Sequence, residues 1–496
     1  MQVTQDVVRA AHTVGLCIRV CVSDMGPANQ NMWRVVGVHS RQESVVNYIS
    51  HPCNSSQRLY FMADPPHLLK NVRNCLLTQS ITLPPAVVTR AQLPSDSVTL
   101  DHVRSLVDLQ DNRQLKLAPQ LTSAHLSPGQ YQKMRVGMAA AVLSHTTATA
   151  LQFCASLNLL SNDVTTTAWF LDLVNRWFDV MNARLIKASL FRTSTQKLAS
   201  LREMLDVIRA VKFSGKACWK PIQSGIQLST QTVLDLYCDL VSNGSYNFLM
   251  TGRLTQDCVE NLFSCVRGRG DAHPSPVHFR HNLRLISLSQ YMRISSSSNY
   301  QQDDSEYFLD FLKKKPVSAS DADRQDDDDI EFVEHTVVSQ ECELDTCDSS
   351  VCYLLAGWSV HKQTQKVAGC QECLSVICGS VSDAPLEAEL TKMKSYGGLQ
   401  YPSALVFDAV RSAESVFLSH QQSLVSCGNV ESVLNSKFAE HYSVSGLPVC
   451  HNSLYDIVAR YFRLRIHVHA KWLTSQFKSA AVQHGSRSAF CRTKVK

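Results

Sequence analysis

The sequence predicts an α/β segment at its N-terminal end, a mainly helical stretch after it, and a separate region beyond an acidic linker. Three observations carry this. Two short apolar runs, 16–22 and 59–63, are each followed by an aspartate, Asp24 (after Ser23) and Asp64. Apolar residues then recur at helical spacing through much of 131–246, as at Leu201, Leu205, Ile208 and Val211. Finally, four consecutive aspartates at 326–329 sit inside an acidic run, 321–331, where like charges repel and stay solvated.

Taken in order, residues 3–12 read as a helix with Val3, Val7, Val8 and Ala11 on one face. The run 16–22 reads as a strand, nearly all apolar, as in a sheet covered on both sides. Residues 59–63 form a second buried strand. Pro65 and Pro66 stop it, and a helix starts over 67–77. Residues 81–130 are irregular and rich in Pro, Ser and Thr, and 169–184 and 201–211 are the clearest later helices. In 254–267, Val259, Leu262, Phe263 and Val266 make an apolar helical stripe. Thr255 is the expected N-cap, and Asp257 falls in the first turn, where negative charge is favoured. Glu260 flanks the stripe, about 60° from Phe263, and should be half-buried, while Asp257 should point further out. Serines at 295–298 and the acidic run form a linker before the region 341–496.

The 496 residues allow two or three domains and a large core. With 44% hydrophobic and 18% charged residues, the composition is that of an ordinary globular chain. A net charge of +5 permits nucleic-acid binding without demanding it. No apolar run reaches the roughly 18 residues of a membrane span, and the first residues lack the basic and apolar parts of a signal peptide. The 18 cysteines, among them Cys17, Cys21, Cys154 and Cys238, read as reduced, buried thiols of an intracellular protein. Cys370-x-x-Cys373 is half of a zinc (Zn²⁺) knuckle, with Cys347, Cys352 or His361 as sources of the other half; the alternative is a pair of reduced thiols in a helical segment. The basic stretch 460–496, with Tyr461, Phe462, Trp472 and Phe477, suits either DNA contact or an ordinary final helix.

Strands that end on carboxylates, with a later helix that adds another, can hold two divalent metals about 4 Å apart for phosphodiester chemistry. Oxygen ligands suit Mg²⁺ or Mn²⁺. The other reading of an aspartate after a strand is a turn or cap residue.

The wording of three segments goes further. "VSDMGPANQNMW", "FMADPPHLLKNVRNCLL" and "LTQDCVENLFSCVRGRGDAHPSPVHFRHNLRLI" resemble, in the family's order, the P-element transposases, including THAP-type transposases and their domesticated relatives. The resemblance covers roughly 1–295. It implies an α/β RNase H-like core (1–85) interrupted by a mainly α-helical GTP-binding insertion domain (86–250). A final core helix segment (251–295), a linker (296–340) and a mainly helical, Cys-containing C-terminal domain (341–496) follow. "YLLAGWSVHK" to "CQEC" resembles the family's C-terminal domain.

By this resemblance Asp24 is the second catalytic acid, at the end of the fourth strand, and Glu260 the third; both would bind Mg²⁺ or Mn²⁺. The first acid and the elements between it and Asp24 need on the order of 60–75 residues, and only 23 precede Asp24. The resemblance thus implies an N-terminally truncated copy with an incomplete triad, lacking the first acid, the first three strands and the DNA-reading zinc module. Asp64 has two readings: it completes a triad with Asp24 and Glu260, or it supports the site from behind, since Pro65-Pro66-His67 is a helix start. His67 reads as a metal or phosphate ligand, or as a local hydrogen-bonding residue. Lys70, Arg73, Arg267 and Arg269 would approach DNA phosphates or be surface charge.

For GTP, "LTSAHLSPGQYQKMRVGMAAAVLSHTTATAL" and "WFDVMNAR" resemble the family's insertion segments. Asp179 would accept from guanine, with Asn182 on the same helix face. Arg135 and Val136 would lie along the nucleotide, and Asp257 would link it to Glu260. No P-loop is present. Gln120 replaces a lysine common in the family, which weakens the expected phosphate contact. The function implied is a P-element-type DNA transposase: metal-dependent cleavage and strand transfer on transposon ends and target DNA, with GTP as cofactor. It would work as a homo-oligomer in the nucleus, with no membrane partner. The alternative is a domesticated, non-catalytic nuclear relative that binds DNA or protein.

Overall fold

A computed structural model describes residues 2–214, 218–269, 273–288, 344–367, 369–422, 429–442 and 451–483. The predicted serine and acidic linker lies outside the described residues. The chain forms two compact units, one of residues 1–107 and 120–318, the other of 108–119 and 319–496.

The first unit opens with helix α1 (Gln2–Thr13), strand β1 (Val20–Ser23) and helix α2 (Pro27–Val35). A small hairpin of β2 (His39–Arg41) and β3 (Ser44–Val46) leads to β4 (Tyr48–His51), β5 (Asn54–Ala63) and helix α3 (Pro65–Leu76). The sheet order is β1-β5-β4, with β1 parallel and β4 antiparallel to β5. Central β5 is the buried strand: Leu59, Tyr60, Phe61, Met62 and Ala63 are all 0% exposed. The run 16–22 was expected to be covered on both sides, but only 20–23 is strand and it is half-buried. It has a sheet neighbour on one side only. The predicted face of α1 is likewise only partly buried, with Val8 inside and Val3 and Val7 exposed.

Helix packing explains the burial of β5. Among helices α4 (Val136–Val142), α5 (His145–Ser156), α6 (Val164–Met181), α7 (Thr195–Ala210) and α8 (Pro221–Tyr237), α8 lies directly on β5. Ser229 of α8 accepts from Ala63 N (2.9 Å) and donates to Ala63 O (2.7 Å), and Thr232 donates to Phe61 O (2.9 Å). These hydroxyls satisfy backbone groups that would be costly to bury unpaired. Close approach requires Gly225: a Cβ there would stand 2.5 Å from Leu68 Cδ2 and 3.1 Å from Met25 Sδ. Trp177 of α6 donates to Thr230 of α8 (2.8 Å), which ties the next layer on. The unit's described residues close with α9 (Asp257–Arg267) and α10 (Pro276–Leu288).

The second unit is helical, as expected. Helices α11 (Thr346–Lys366), α12 (Gln371–Ile377), α13 (Ala404–His420), α14 (Val430–His441) and α15 (Ser453–Gln483) pack around Val360, Phe417, Ile457 and Phe462. Tyr461 and Phe462 of the basic stretch are core residues, so that part of it is an ordinary packed helix. No described helix is long and apolar enough to cross a membrane. The expectation of buried thiols holds for Cys154 alone of the four named: Cys17 and Cys238 are exposed and Cys21 is half-buried.

Candidate active site

The parallel pairing of β1 with β5 fixes the first geometry. Ser23 is in register with Ala63, and Asp64 N donates to Ser23 O at 2.9 Å. Asp24 and Asp64 therefore leave neighbouring strands at the same edge of the sheet, where side chains from adjacent strand ends can share a site. Asp24 is half-buried, and its Oδ1 accepts from Gly26 N (2.8 Å) and Asn29 Nδ2 (2.7 Å). The local sequence serves this turn. A Cβ at position 26 would sit 2.8 Å from Asp24 Oδ1, and Pro27 starts α2.

Asp64 is fully buried and caps α3. Its Oδ2 accepts from His67 N (3.1 Å) and lies 2.6 Å from His67 Nδ1; its Oδ1 accepts from Gln256 N (2.8 Å). That last bond brings in the distant helix, because Gln256 is the N-cap of α9 and Glu260 lies one turn further on. The N-cap position expected of Thr255 falls on Gln256, whose side chain makes no cap bond; Thr255 instead donates to Gly252 O at 3.3 Å.

The rotation of α9 also differs from expectation. Asp257 is 3% and Asn261 7% exposed, whereas Val259 and Phe263 of the apolar stripe are 45% and 37% exposed. Asp257, expected to point outward, is buried in an ion pair with Arg184. A buried carboxylate with a fixed guanidinium can outweigh an apolar stripe in setting which face of a short helix turns in. Glu260 is half-buried, as predicted, and no hydrogen bond or ion pair to another described residue holds its carboxylate.

Lys70, one helical turn past His67 on α3, shows that these acids converge. Burial lowers its pKa, against the opposing pull of Asp64, Glu260, Asp257 and Asp24, in falling order. Carboxylates 236 residues apart in sequence, Asp24 and Glu260, thus act on one ammonium group. Lys70 and Arg73 are 3% and 0% exposed, so neither is placed to meet DNA phosphates; Arg267 and Arg269 are exposed. Sequence reasoning had missed Lys70 as a counter-ion and Arg184 altogether. Arg184 ends "WFDVMNAR", yet its partner lies 73 residues later, beyond any local signal.

Of these four carboxylates, Asp64 lies against His67 and Asp257 against Arg184, whereas Asp24 and Glu260 have no cation within ion-pair distance among the described residues. Asp64 already has three donors and Asp257 its arginine, so Asp24 Oδ2 and Glu260 supply the available oxygens. No three of the acids place donor atoms within 4.8 Å of one another. A donor set of two carboxylates suits Mg²⁺, which commonly takes one or two, with waters and substrate phosphates completing its shell.

The residues expected around GTP lie on α4 and α6. Asp179 is exposed on α6 and accepts from Asn175 Nδ2 (2.8 Å). Asn182 caps the C-terminal end of α6, and Arg184 Nε lies 3.4 Å from its Oδ1. Arg135 is exposed at the N-cap of α4; Val136 is 3% exposed, so its side chain belongs to the core. Arg73 of α3 donates to Lys133 O (3.1 Å), tying the approach to α4 to the helix that carries Lys70. Gln120 is exposed. Through Arg184 and Asp257, the end of α6 is joined to the turn before Glu260.

In the second unit the partners expected for Cys370 and Cys373 do not gather there. Cys347 is buried in α11, and burial pushes its thiol up to about 11. Cys352 lies 3.2 Å from the Tyr461 hydroxyl, and His361 lies beside Gln365. The residue that comes within reach is His451.

Comparison with known proteins agrees with this architecture. Residues 66–194 match the family model of the TNP-like, GTP-binding insertion domain, and residues 343–447 that of the DNA transposase THAP9 C-terminal domain. The chain is 27% identical to the Transposable element P transposase of Drosophila melanogaster, over 64% of this chain and 42% of that protein. It is 21% identical to DNA transposase THAP9 of Homo sapiens, over 82% of this chain and 47% of that protein. Among solved structures it resembles the Drosophila P element transposase strand transfer complex (TM-score 0.52, 27% identity, 58% of this chain and 64% of that one). These findings relate the chain to transposase-type proteins and one of its segments to their GTP-binding insertion domain. Its likeness is to the P-element and THAP-type DNA transposases. The chain spans about half the length of the curated relatives it matches.

Proposed function

We propose that this chain is a P-element-type DNA transposase that acts in the nucleus, as a homo-oligomer, on transposon ends and target DNA, with Mg²⁺ or Mn²⁺ and GTP as cofactors. We read 1–85 and 251–295 as its RNase H-like core, 86–250 as the insertion, 296–340 as the linker and 341–496 as the C-terminal domain. The observation that carries the reading is that Asp24 and Asp64 leave paired strands at one sheet edge, where Asp64 Oδ1 accepts from Gln256 N one turn before Glu260, while Asp24 and Glu260 lack a cation among the described residues.

Asp24 and Glu260 would hold the metal, which when bound supplies a Lewis acid for the phosphodiester and lowers the pKa of an attacking water or hydroxyl. The turn at Gly26 and Asn29 aims Asp24. Asp64 holds the N-terminus of α9, and so the height of Glu260, against the strand edge. Lys70 limits repulsion among the acids. Asp179 and Asn182 would recognise guanine, with Arg135 and the backbone at Val136 beside the nucleotide. Arg184 and Asp257 would report its binding to α9.

The test is Mn²⁺ binding to the full chain, followed by electron paramagnetic resonance, together with Mg²⁺-dependent nicking of DNA. Asp24→Asn and Glu260→Gln should each weaken Mn²⁺ binding at least tenfold. Unchanged Mn²⁺ affinity in both variants would overturn the site. For the nucleotide, a fluorescent GTP analogue should bind in preference to its ATP counterpart, and Asp179→Asn should remove that preference.

A second reading, a non-catalytic nuclear relative that binds DNA or protein, draws on a specific observation. Asp64 and Asp257 are already engaged, so two acids remain in the described residues. Mn²⁺ binding without nicking of DNA would favour this reading over the first.

A further inference from the structure

We propose that the second unit carries a zinc site formed by Cys370, Cys373 and His451, independent of the acidic site and of the function read from it. Among the described residues this is the only group of three or more His, Cys, Asp or Glu side chains whose donor atoms lie within 4.8 Å of one another. Cys370 is the N-cap of α12 and Cys373 lies in its first turn, so the two-residue spacer puts both sulfurs on one side of the helix. His451 comes from the turn just before α15, 78 residues after Cys373, with its Nδ1 3.4 Å from Cys373 Sγ.

The distances suit the metal. Zinc takes sulfur at about 2.3 Å and nitrogen at about 2.0–2.1 Å, so a tetrahedral site sets its donors roughly 3.4–3.8 Å apart. A sulfur and an imidazole nitrogen at 3.4 Å are already close to that separation, whereas a thiol–imidazole hydrogen bond alone would not gather a third donor. The charges also suit it. Two thiolates and a neutral imidazole carry two negative charges, which Zn²⁺ cancels, so Cys373 can stay buried at 3% exposure. Burial is graded, from Cys373 through half-buried Cys370 to exposed His451. Zinc would be softly ligated here and hard-ligated metals excluded, since sulfur donors select it over Mg²⁺. Its role would be to fasten the start of α12 to the start of α15. On loading, two thiol protons pass to solvent and two Zn–S bonds form, with no change of oxidation state.

The experiment uses the full chain, purified without chelators under reducing conditions. Elemental analysis should find one zinc per chain, and Co²⁺ in its place should give the thiolate-to-cobalt absorption that carboxylate ligands at the acidic site cannot produce. His451→Gln, on an exposed residue, should leave the circular dichroism spectrum unchanged and weaken zinc binding about tenfold or more. Cys370→Ser should reduce the sulfur-to-cobalt band. A wild-type chain without stoichiometric zinc and without that band would overturn the site, as would unchanged zinc affinity in both variants.

Discussion

Two clusters of buried charge, one in each unit, are built to opposite rules. In the second unit Glu414 and Arg465 are each 1% exposed. Arg465 Nε lies 2.9 and 2.7 Å from the two Glu414 oxygens, the Tyr461 hydroxyl donates to Oε2 at 2.8 Å, and Arg465 Nη2 reaches Gln114 at 3.0 Å. At contact one positive charge meets one negative and both carboxylate oxygens are bonded, while Arg465 Nη1 is buried without a hydrogen-bond partner and Asp348 acts on the pair from further off. In the first unit four carboxylates act on Lys70, Asp64 and Asp257 are paired with His67 and Arg184, and the Asp24 and Glu260 carboxylates have no cation within ion-pair distance among the described residues. A closed pair fixes a fold, and removing one partner leaves a stranded charge. An open cluster at a sheet edge is a candidate cation site, because perturbed titratable groups gather at functional sites. The difference teaches that burial of charge alone does not mark such a candidate; carboxylates left without a cation partner do.

The comparison breaks most sharply at Arg465. Its replacement by Met leaves Glu414 buried and unpaired, and should cost about 3–5 kcal/mol, read as a lowered urea midpoint for the second unit. A loss below about 1 kcal/mol would mean that water reaches Glu414 and the cluster is not closed. Asp64 tests the one acid of the open cluster that behaves like the closed pair. Asp64→Ala removes the cap of α3 and the anchor of Gln256 together, for an expected loss of about 2 kcal/mol or more. If stability were unchanged while Mn²⁺ binding fell, Asp64 would be a ligand and not a support.

A third case lies on a single lysine. Burial lowers Lys394 from 10.5 to about 8, and its Nζ donates to Leu117 O at 2.8 Å. Between those two pH values the unfolded chain holds a proton that the folded chain has released, so this group's contribution to stability rises with pH across the window. Below about pH 8 both states are charged and its burial costs most. Lys394→Met should therefore stabilise the chain by roughly 1–2 kcal/mol at pH 7, with the gain shrinking toward pH 10. The difference between variant and wild type, measured at pH 7 and 9.5, isolates it from tyrosines and cysteines that titrate nearby. A difference that does not change with pH would sink the assignment.

What was legible in the sequence follows from how local each cause is. The end of β5, the stop at Pro65-Pro66 and the turn at Gly26 rest on neighbours within a few residues, and their residue types point to them. The half-burial of Glu260 was read correctly from the helical wheel. The rotation that buries Asp257 was not, because its cause is Arg184, 73 residues away, and a stripe of four apolar residues in the same helix points the other way. Position 451 was invisible for the same reason: "CQEC" announces two ligands, but nothing near them announces a histidine 78 residues later. Lys70 reads in the sequence as a DNA-phosphate contact or as surface charge, and only tertiary packing brings four acids to act on it.

The smallest expected effect sharpens the comparison most. Glu260→Gln keeps size and shape and breaks no hydrogen bond to a described residue. It removes a carboxylate that has no cation within ion-pair distance among the described residues. Its effect on the urea midpoint should stay within about 0.5 kcal/mol, and any shift should favour the variant. Glu414→Gln, the same chemical change in the closed cluster, strands Arg465 and should lose several times more. Divergence between these two glutamates separates a carboxylate held for its chemistry from one held for the fold. Equal losses from both substitutions would mean that Glu260 is also a structural partner, and the lack of a cation partner would no longer single out the acidic site.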